Sequence, residues 1–181
     1  MSNDLWRTPQ EVFNALDKEF NFYADIAADH NNTKCKVFFN EADNSLSFDW
    51  ADKLNAQYPA DKNKYVWVNP PYSNPMPWVK QAAKAQLDGL GTVMLLNNDM
   101  SVGWFAEALK TVSEIRCVIS DEAPETKRGY TSGRVGFVNA DNDAVHANNK
   151  PQFVLVFNPF KVGANITSYI TKKELYGEVK C

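Results

Sequence analysis

The apolar positions of this chain alternate between short runs and helical stripes. Val12, Phe13, Leu16 and Phe20 recur at the three- and four-residue spacing of one helix face. Thr8-Pro9-Gln10-Glu11 is a start signal for that helix. Thr8 suits the cap, Pro9 the first helical position and Glu11 the third residue after the cap. Phe22 to Ala28 reads as a short strand running into a turn, and Val37-Phe38-Phe39 as a second strand. Residues 40–63, rich in Asn, Asp, Ala and Lys, read as a long connection. Tyr65-Val66-Trp67-Val68 has the pattern of a buried strand. It stops at Asn69-Pro70-Pro71 because proline cannot donate to a sheet ladder.

A second helix is predicted from about Pro77, with Trp78, Val79, Ala82 and Ala83 as its stripe and Gly89 as its stop. Thr92 to Leu96 is the next buried strand, and Ser101 is expected to cap a short helix carrying Trp104, Phe105, Ala108 and Leu109. Glu114 to Ser120 and Phe153 to Phe157 follow as strands. Between them lies a polar stretch, residues 121–150, interrupted by Arg134-Val135-Gly136-Phe137-Val138. Strands alternating with helices predict an α/β fold with a mostly parallel sheet, whose ligands bind outside the carboxyl ends of the strands.

Composition narrows the function. With 181 residues, 44% of them hydrophobic, the chain is expected to form a single domain with a sizeable core. A formal net charge of -3 excludes binding nucleic acid by bulk charge, so any grip on a polyanion must be local. Cys35, Cys117 and Cys181 are odd in number and form no CxxC pair, which argues against a disulfide framework and for a reducing cytosol. No metal is expected: His30 and His146 lack ligand spacing, and Asp141-Asn142-Asp143 lacks the glycine and distal glutamate of a calcium loop. The longest aliphatic run, Val93 to Leu96, is far too short to span a bilayer. Trp67, Trp78 and Trp104 are expected in the core, whereas Trp6 precedes the first helix and can line a pocket. Nothing in the sequence calls for a protein partner.

The chemistry concentrates in Asn69-Pro70-Pro71-Tyr72, which leaves the carboxyl end of a predicted buried strand. An amino group conjugated to a planar ring is a poor nucleophile, because its lone pair is delocalised. Two fixed acceptors, the Asn69 side-chain oxygen and the Pro70 carbonyl, can hold such a group and favour attack by that lone pair. The prolines stiffen the loop, and Tyr72 offers a face on which an extruded base can stack. Positioning then carries most of the catalysis. The segment Lys127-Arg128-Gly129-Tyr130-Thr131-Ser132-Gly133-Arg134 suits a loop that contacts phosphates, and a guanine edge through a bidentate arginine.

Trp6-Arg7-Thr8-Pro9, Asp25-Ile26-Ala27-Ala28, Leu46 to Trp50, Val68 to Ser73, Met94-Leu95-Leu96, Trp104-Phe105 and Gly133 to Phe137 follow one another in a specific order and spacing. From Trp6 to about Phe160 the chain resembles the phage-type DNA N6-adenine methyltransferases, the Dam family of phages and prophages. The resemblance implies a Rossmann-like methyltransferase fold, possibly reduced, with helices on both faces of the sheet. It implies S-adenosylmethionine as methyl donor, double-stranded DNA as acceptor and the cytoplasm of a bacterial host as setting. It makes Asn69, Pro70, Pro71 and Tyr72 catalytic. It places Trp6, Thr8, Pro9, Asp25, Ala27, Asp43 and Asp49 at the donor, and Lys127, Arg128, Tyr130 and Arg134 at the DNA. The chain departs from the general methyltransferase pattern after the first strand, where Ala27-Ala28 stands in place of a Gly-x-Gly loop. The expected layout is a core over residues 6–160, a DNA-contacting insertion over 121–150 and a C-terminal extension over 161–181. Two other readings stay open. One keeps the chemistry on RNA adenine or a protein glutamine. The other is an inactive DNA-binding protein of the same fold, against which intact Asn69 and Tyr72 argue.

Overall fold

A computed structural model describes residues 3–57 and 64–178. Its seven strands are β1 (Phe22–Asp25), β2 (Val37–Phe38), β3 (Tyr65–Val68), β4 (Gly91–Asn97), β5 (Glu114–Ile119), β6 (Gln152–Phe157) and β7 (Ile166–Thr171). They form one sheet in the order β2-β1-β3-β4-β6-β5-β7. Every pairing is parallel except those of β6, which runs antiparallel to both β4 and β5. β3 and β6 are buried along their whole length and β4 along all but its last residue, as their continuous apolar sequences require of central strands.

Helices cover both faces. Val12, Phe13 and Leu16 of α1 (Gln10–Phe20) and Leu175 of α5 (Lys172–Leu175) share one core cluster with Trp67, Val93 and Val154. Trp50 and Leu54 of α2 (Trp50–Gln57), Val79 and Ala82 of α3 (Met76–Leu87) and Phe105 of α4 (Gly103–Ala108) share the other with Val66, Met94 and Leu155. The expected α/β fold is therefore present, and all parallel strands deliver their carboxyl ends to the same rim. α3 ends on Gly89 at φ +85°, the left-handed stop that its sequence announced.

Four local expectations are overturned. Thr8 does not cap α1: the helix starts at Gln10 behind Pro9, and no side chain caps it. Ser101 does not cap α4, because its hydroxyl donates to Asp99 at 2.6 Å and Val102 takes the cap position. The connection over residues 40–63 contains α2, whose buried stripe of Trp50, Ala51 and Leu54 is short enough to hide among polar neighbours; residues 58–63 lie outside the described chain. Finally, the C-terminal extension completes the sheet. β7 lies parallel to β5 as an edge strand and leads into α5 through a capping box between Thr171 and Glu174.

The polar stretch over residues 121–150 has little regular structure but is firmly seated. Val135 and Phe137 enter the core. The fully buried Gln152 side chain accepts from the Val135 N–H at 2.9 Å, and Asn148 donates to the Val135 carbonyl at 2.9 Å. Without these amides the backbone of a buried irregular segment would lack partners.

Candidate active site

Residues 4–7 form a strap across the rim of the sheet. The Ser73 N–H donates to the Asp4 carboxylate at 2.8 Å. Arg7 and Val138 exchange backbone hydrogen bonds of 2.9 and 3.0 Å. The strap thus bridges the loop after β3 and the segment before β6.

Between those anchors the Asn69 amide nitrogen donates to the Trp6 carbonyl at 3.1 Å. That bond fixes the orientation of the amide. Asn69 Oδ1 is left buried and without a protein partner. A buried carbonyl without a donor is destabilising by roughly 1–3 kcal/mol, so natural structures seldom leave one. Here it stands at the carboxyl end of β3, where a ligand can supply the missing donor. Pro70 is buried and Pro71 lines the adjoining cleft. The Tyr72 ring is partly exposed and meets Phe137 edge-on at 5.8 Å. Its hydroxyl is buried without a partner, and burial holds its ionisation far above the ordinary tyrosine range.

A cleft of about 480 Å³ opens beside Asn69, between the strap and the carboxyl ends of β1 and β2. Its size suits a cofactor of nucleoside dimensions. Four of the expected donor residues line it: Trp6, Thr8, Asp25 and Ala27. Released from capping, Thr8 presents a hydroxyl that is buried and has no protein partner. Pro9 is buried beside it and does not line the cleft. Asp43 and Asp49 stay outside. The Asp43 carboxylate accepts from the Asn40 N–H at 2.8 Å in an exposed turn, and Asp49 accepts from the Asp52 N–H at 2.9 Å and pairs with Lys84 at 2.6 Å. The turn directly after β2 offers Asn40 and Glu41 to the cleft instead.

Asp25 is the most perturbed group there. Its carboxylate accepts from the N–H groups of Lys34 at 3.0 Å and Ala27 at 3.4 Å. Burial nevertheless dominates those contacts and the nearby Lys34 charge, and its pKa is pushed up to about 6. The Lys34 ammonium is also partly desolvated, which lowers its pKa. The missing glycines leave no strain. The chain bends at Ile26 and Ala27 directly after β1, and neither Ala27 nor Ala28 has a positive φ. The Ile26 N–H donates to Trp67 at 3.0 Å and the Ala28 N–H to Phe39 at 3.1 Å. A bend with no left-handed residue needs no glycine.

Sequence reading missed Arg7, Lys34 and Glu41, all of which line the cleft. Arg7 sits inside the motif Trp6 to Pro9 and could have been found there. Trp67 and Trp78 are core residues in part only, since both also form cleft wall.

Lys127, Arg128 and Tyr130 stand exposed on a turn closed by the Ala123 N–H to Gly129 carbonyl bond of 2.8 Å, with Gly129 at φ +72°. The Asp121 carboxylate fixes the base of that turn by accepting from the Lys173 N–H at 3.2 Å. Arg134 is exposed, and its Nη1 reaches the Asn148 carbonyl at 3.4 Å. These four residues follow the carboxyl end of β5, on the rim that holds Asn69, and none lines the cleft beside Asn69. His30 rests edge-on against Phe38 at 5.0 Å. Among the described residues no three His, Cys, Asp or Glu side chains cluster as metal ligands, and no helix is long and apolar enough to cross a membrane.

Comparison with known proteins agrees with the motif. The family described as DNA N-6-adenine-methyltransferase (Dam) matches residues 1–180. A DNA N-6-adenine-methyltransferase of Haemophilus phage HP1 is 34% identical over 177 residues, covering 95% of this chain and 89% of the phage protein. One of Escherichia phage T1 is 34% identical over 182 positions, covering 98% of this chain and 72% of its own length. A putative methyltransferase of Escherichia coli K12, YfdM, is 34% identical over 76 residues, 41% of this chain.

Proposed function

The chain belongs to the DNA N-6-adenine-methyltransferase (Dam) family, and from that premise we propose how its residues perform methyl transfer to N6 of adenine in DNA. S-adenosylmethionine is the donor, and when bound it supplies an electrophilic methyl group on a sulfonium. The cleft between the strap and β1–β2 holds it, with Trp6, Thr8, Asp25, Ala27 and Glu41 as its walls. The orphaned Thr8 hydroxyl and the mixed aromatic and polar lining fit such a ligand.

One observation carries the catalytic assignment: Asn69 Oδ1 is buried and unpartnered while its own amide nitrogen is tied to Trp6. The acceptor is fixed before substrate arrives, so no reorganisation is needed at the moment of reaction. The adenine amino group donates to Asn69 Oδ1 and to the Pro70 carbonyl. Held in this way its lone pair turns away from the ring and toward the methyl group. The Tyr72 ring stacks on the target base after it leaves the duplex. Lys127, Arg128 and Tyr130 contact the DNA backbone, and Arg134 a base edge. The whole chain works as one domain, in the bacterial cytoplasm.

The test is to incubate the protein with methyl-labelled donor and unmethylated duplex DNA, digest the DNA, and identify the labelled nucleoside. N6-methyladenine is expected. Label recovered in RNA or protein but never in DNA would refute the acceptor. DNA binding without any transfer would support the inactive DNA-binding alternative.

A further inference from the structure

We propose that Arg7 holds the α-carboxylate of the methyl donor and so sets the donor's direction in the cleft. The inference rests on the reading of that cleft as the S-adenosylmethionine site. The donor's amino-acid end is zwitterionic, and its carboxylate needs a cation and hydrogen-bond donors. Among the described residues two cations line the cleft, Arg7 and Lys34. The Lys34 ammonium already donates to the Gln10 side chain at 3.0 Å. The Arg7 side chain is only 14% exposed, yet among the described residues its guanidinium makes one hydrogen bond, from Nη1 to the Ala140 carbonyl at 3.0 Å.

Its nearest carboxylate, Asp29, lies 3.9 Å from Nη2, beyond hydrogen-bonding distance. Asp29 is itself half exposed and accepts from the Asn31 N–H at 2.6 Å. A largely desolvated guanidinium with donors to spare is a bidentate carboxylate site. The next residue reinforces it: the buried Thr8 hydroxyl lacks a partner and lines the same cleft. A carboxylate between Arg7 and Thr8 would satisfy both. It would anchor the amino-acid end of the donor on the strap, which also holds Asn69 through Trp6.

The test is a ligand-and-residue cycle read by calorimetric binding, with no turnover. The ligands are S-adenosylhomocysteine and its decarboxylated analogue, which keeps the ammonium and lacks only the carboxylate. Wild-type protein should bind the parent more tightly by roughly 10- to 100-fold, the worth of a charge-assisted hydrogen-bonded pair. Arg7→Gln should lose most of that difference while binding the decarboxylated analogue about as wild type does, which also reports that the variant is folded. Arg7→Lys should keep a part of it. If Arg7→Gln still prefers the parent ligand by the full factor, the carboxylate is held elsewhere and the proposal fails. Equal weakening of both ligands would give Arg7 a structural role and refute it too. Failure of wild type to bind either ligand would instead remove the donor-site reading, and this proposal with it.

Discussion

Replacing Asn69 by alanine separates catalysis from folding. The substitution deletes two groups whose effects on stability oppose each other. The amide nitrogen loses its bond to the Trp6 carbonyl, a loss of about 0.5–1.5 kcal/mol. The unpartnered Oδ1 also disappears, which relieves a burial penalty of about 1–3 kcal/mol. The net lies between a loss of about 0.5 kcal/mol and a gain of about 2.5 kcal/mol, so Tm should fall by no more than about 2 °C for a chain of this length. The effect on rate has no such offset. Loss of a preorganised acceptor should lower kcat by roughly 10²–10³-fold, as for one group of an oxyanion hole. Single-turnover methylation of a short duplex, alongside thermal unfolding of the same preparations, measures both. A kcat within about fivefold of wild type would refute the role of Oδ1. A kcat loss accompanied by a Tm drop of more than about 10 °C would attribute it to collapse of the loop. Asn69→Asp adds a second arm, since it keeps an acceptor but turns an oxygen toward the Trp6 carbonyl. It should loosen the strap and weaken donor binding more than it lowers kcat.

Three further outcomes are expected. Asp25 titrates at about 6 in the native state against 3.8 when unfolded, so the native state binds the extra proton. Stability should therefore fall as pH rises from about 4 to about 6, by up to roughly 3 kcal/mol; a carboxyl carbon shift of Asp25 that titrates near 4 by NMR would overturn this. At Gly133 a Cβ would come within 2.7 Å of the Ile119 carbonyl carbon and 2.9 Å of the Ser120 nitrogen. Gly133→Ala must displace backbone, and should lower stability by about 1–3 kcal/mol and weaken DNA binding together; urea unfolding and fluorescence anisotropy would show unchanged values if the close approach is immaterial. Lys127→Ala and Arg128→Ala should each reduce the slope of log affinity for duplex DNA against log salt by about 0.9, with little dependence on sequence. An unchanged slope would place the DNA elsewhere.

The parts legible in the sequence are those whose signal is local. The run Tyr65 to Val68 and the prolines after it define a buried strand and its end without help from the rest of the chain. The same holds for the stripe of α1 and for Gly89. What escaped is tertiary. Thr8 has the chemistry of a cap, but Pro9 sits at ψ 144° and breaks the register in which Thr8 could serve. Asp43 and Asp49 lie in the right stretch of chain, yet backbone N–H groups and Lys84 claim them. Ile166 to Thr171 alternates too weakly to announce a strand, and becomes one because β5 offers it an edge. The missing glycines after β1 misled for the opposite reason: a common motif had a purpose that a bend without a left-handed residue does not require.

The strap also governs when the protein can become an enzyme. Arg7 bonds to Ala140, 133 positions away, and its backbone pairs with Val138. The strap and its fastening are therefore separated by most of the strands of the sheet in the order of synthesis. A ribosome-bound chain that has not reached residue 140 holds Asn69 and both prolines but lacks the contact that seats the strap beside them. Such long-range closure makes folding slow relative to local helix formation. A proteolytic fragment ending before Val138 is expected to be inert in methyl transfer.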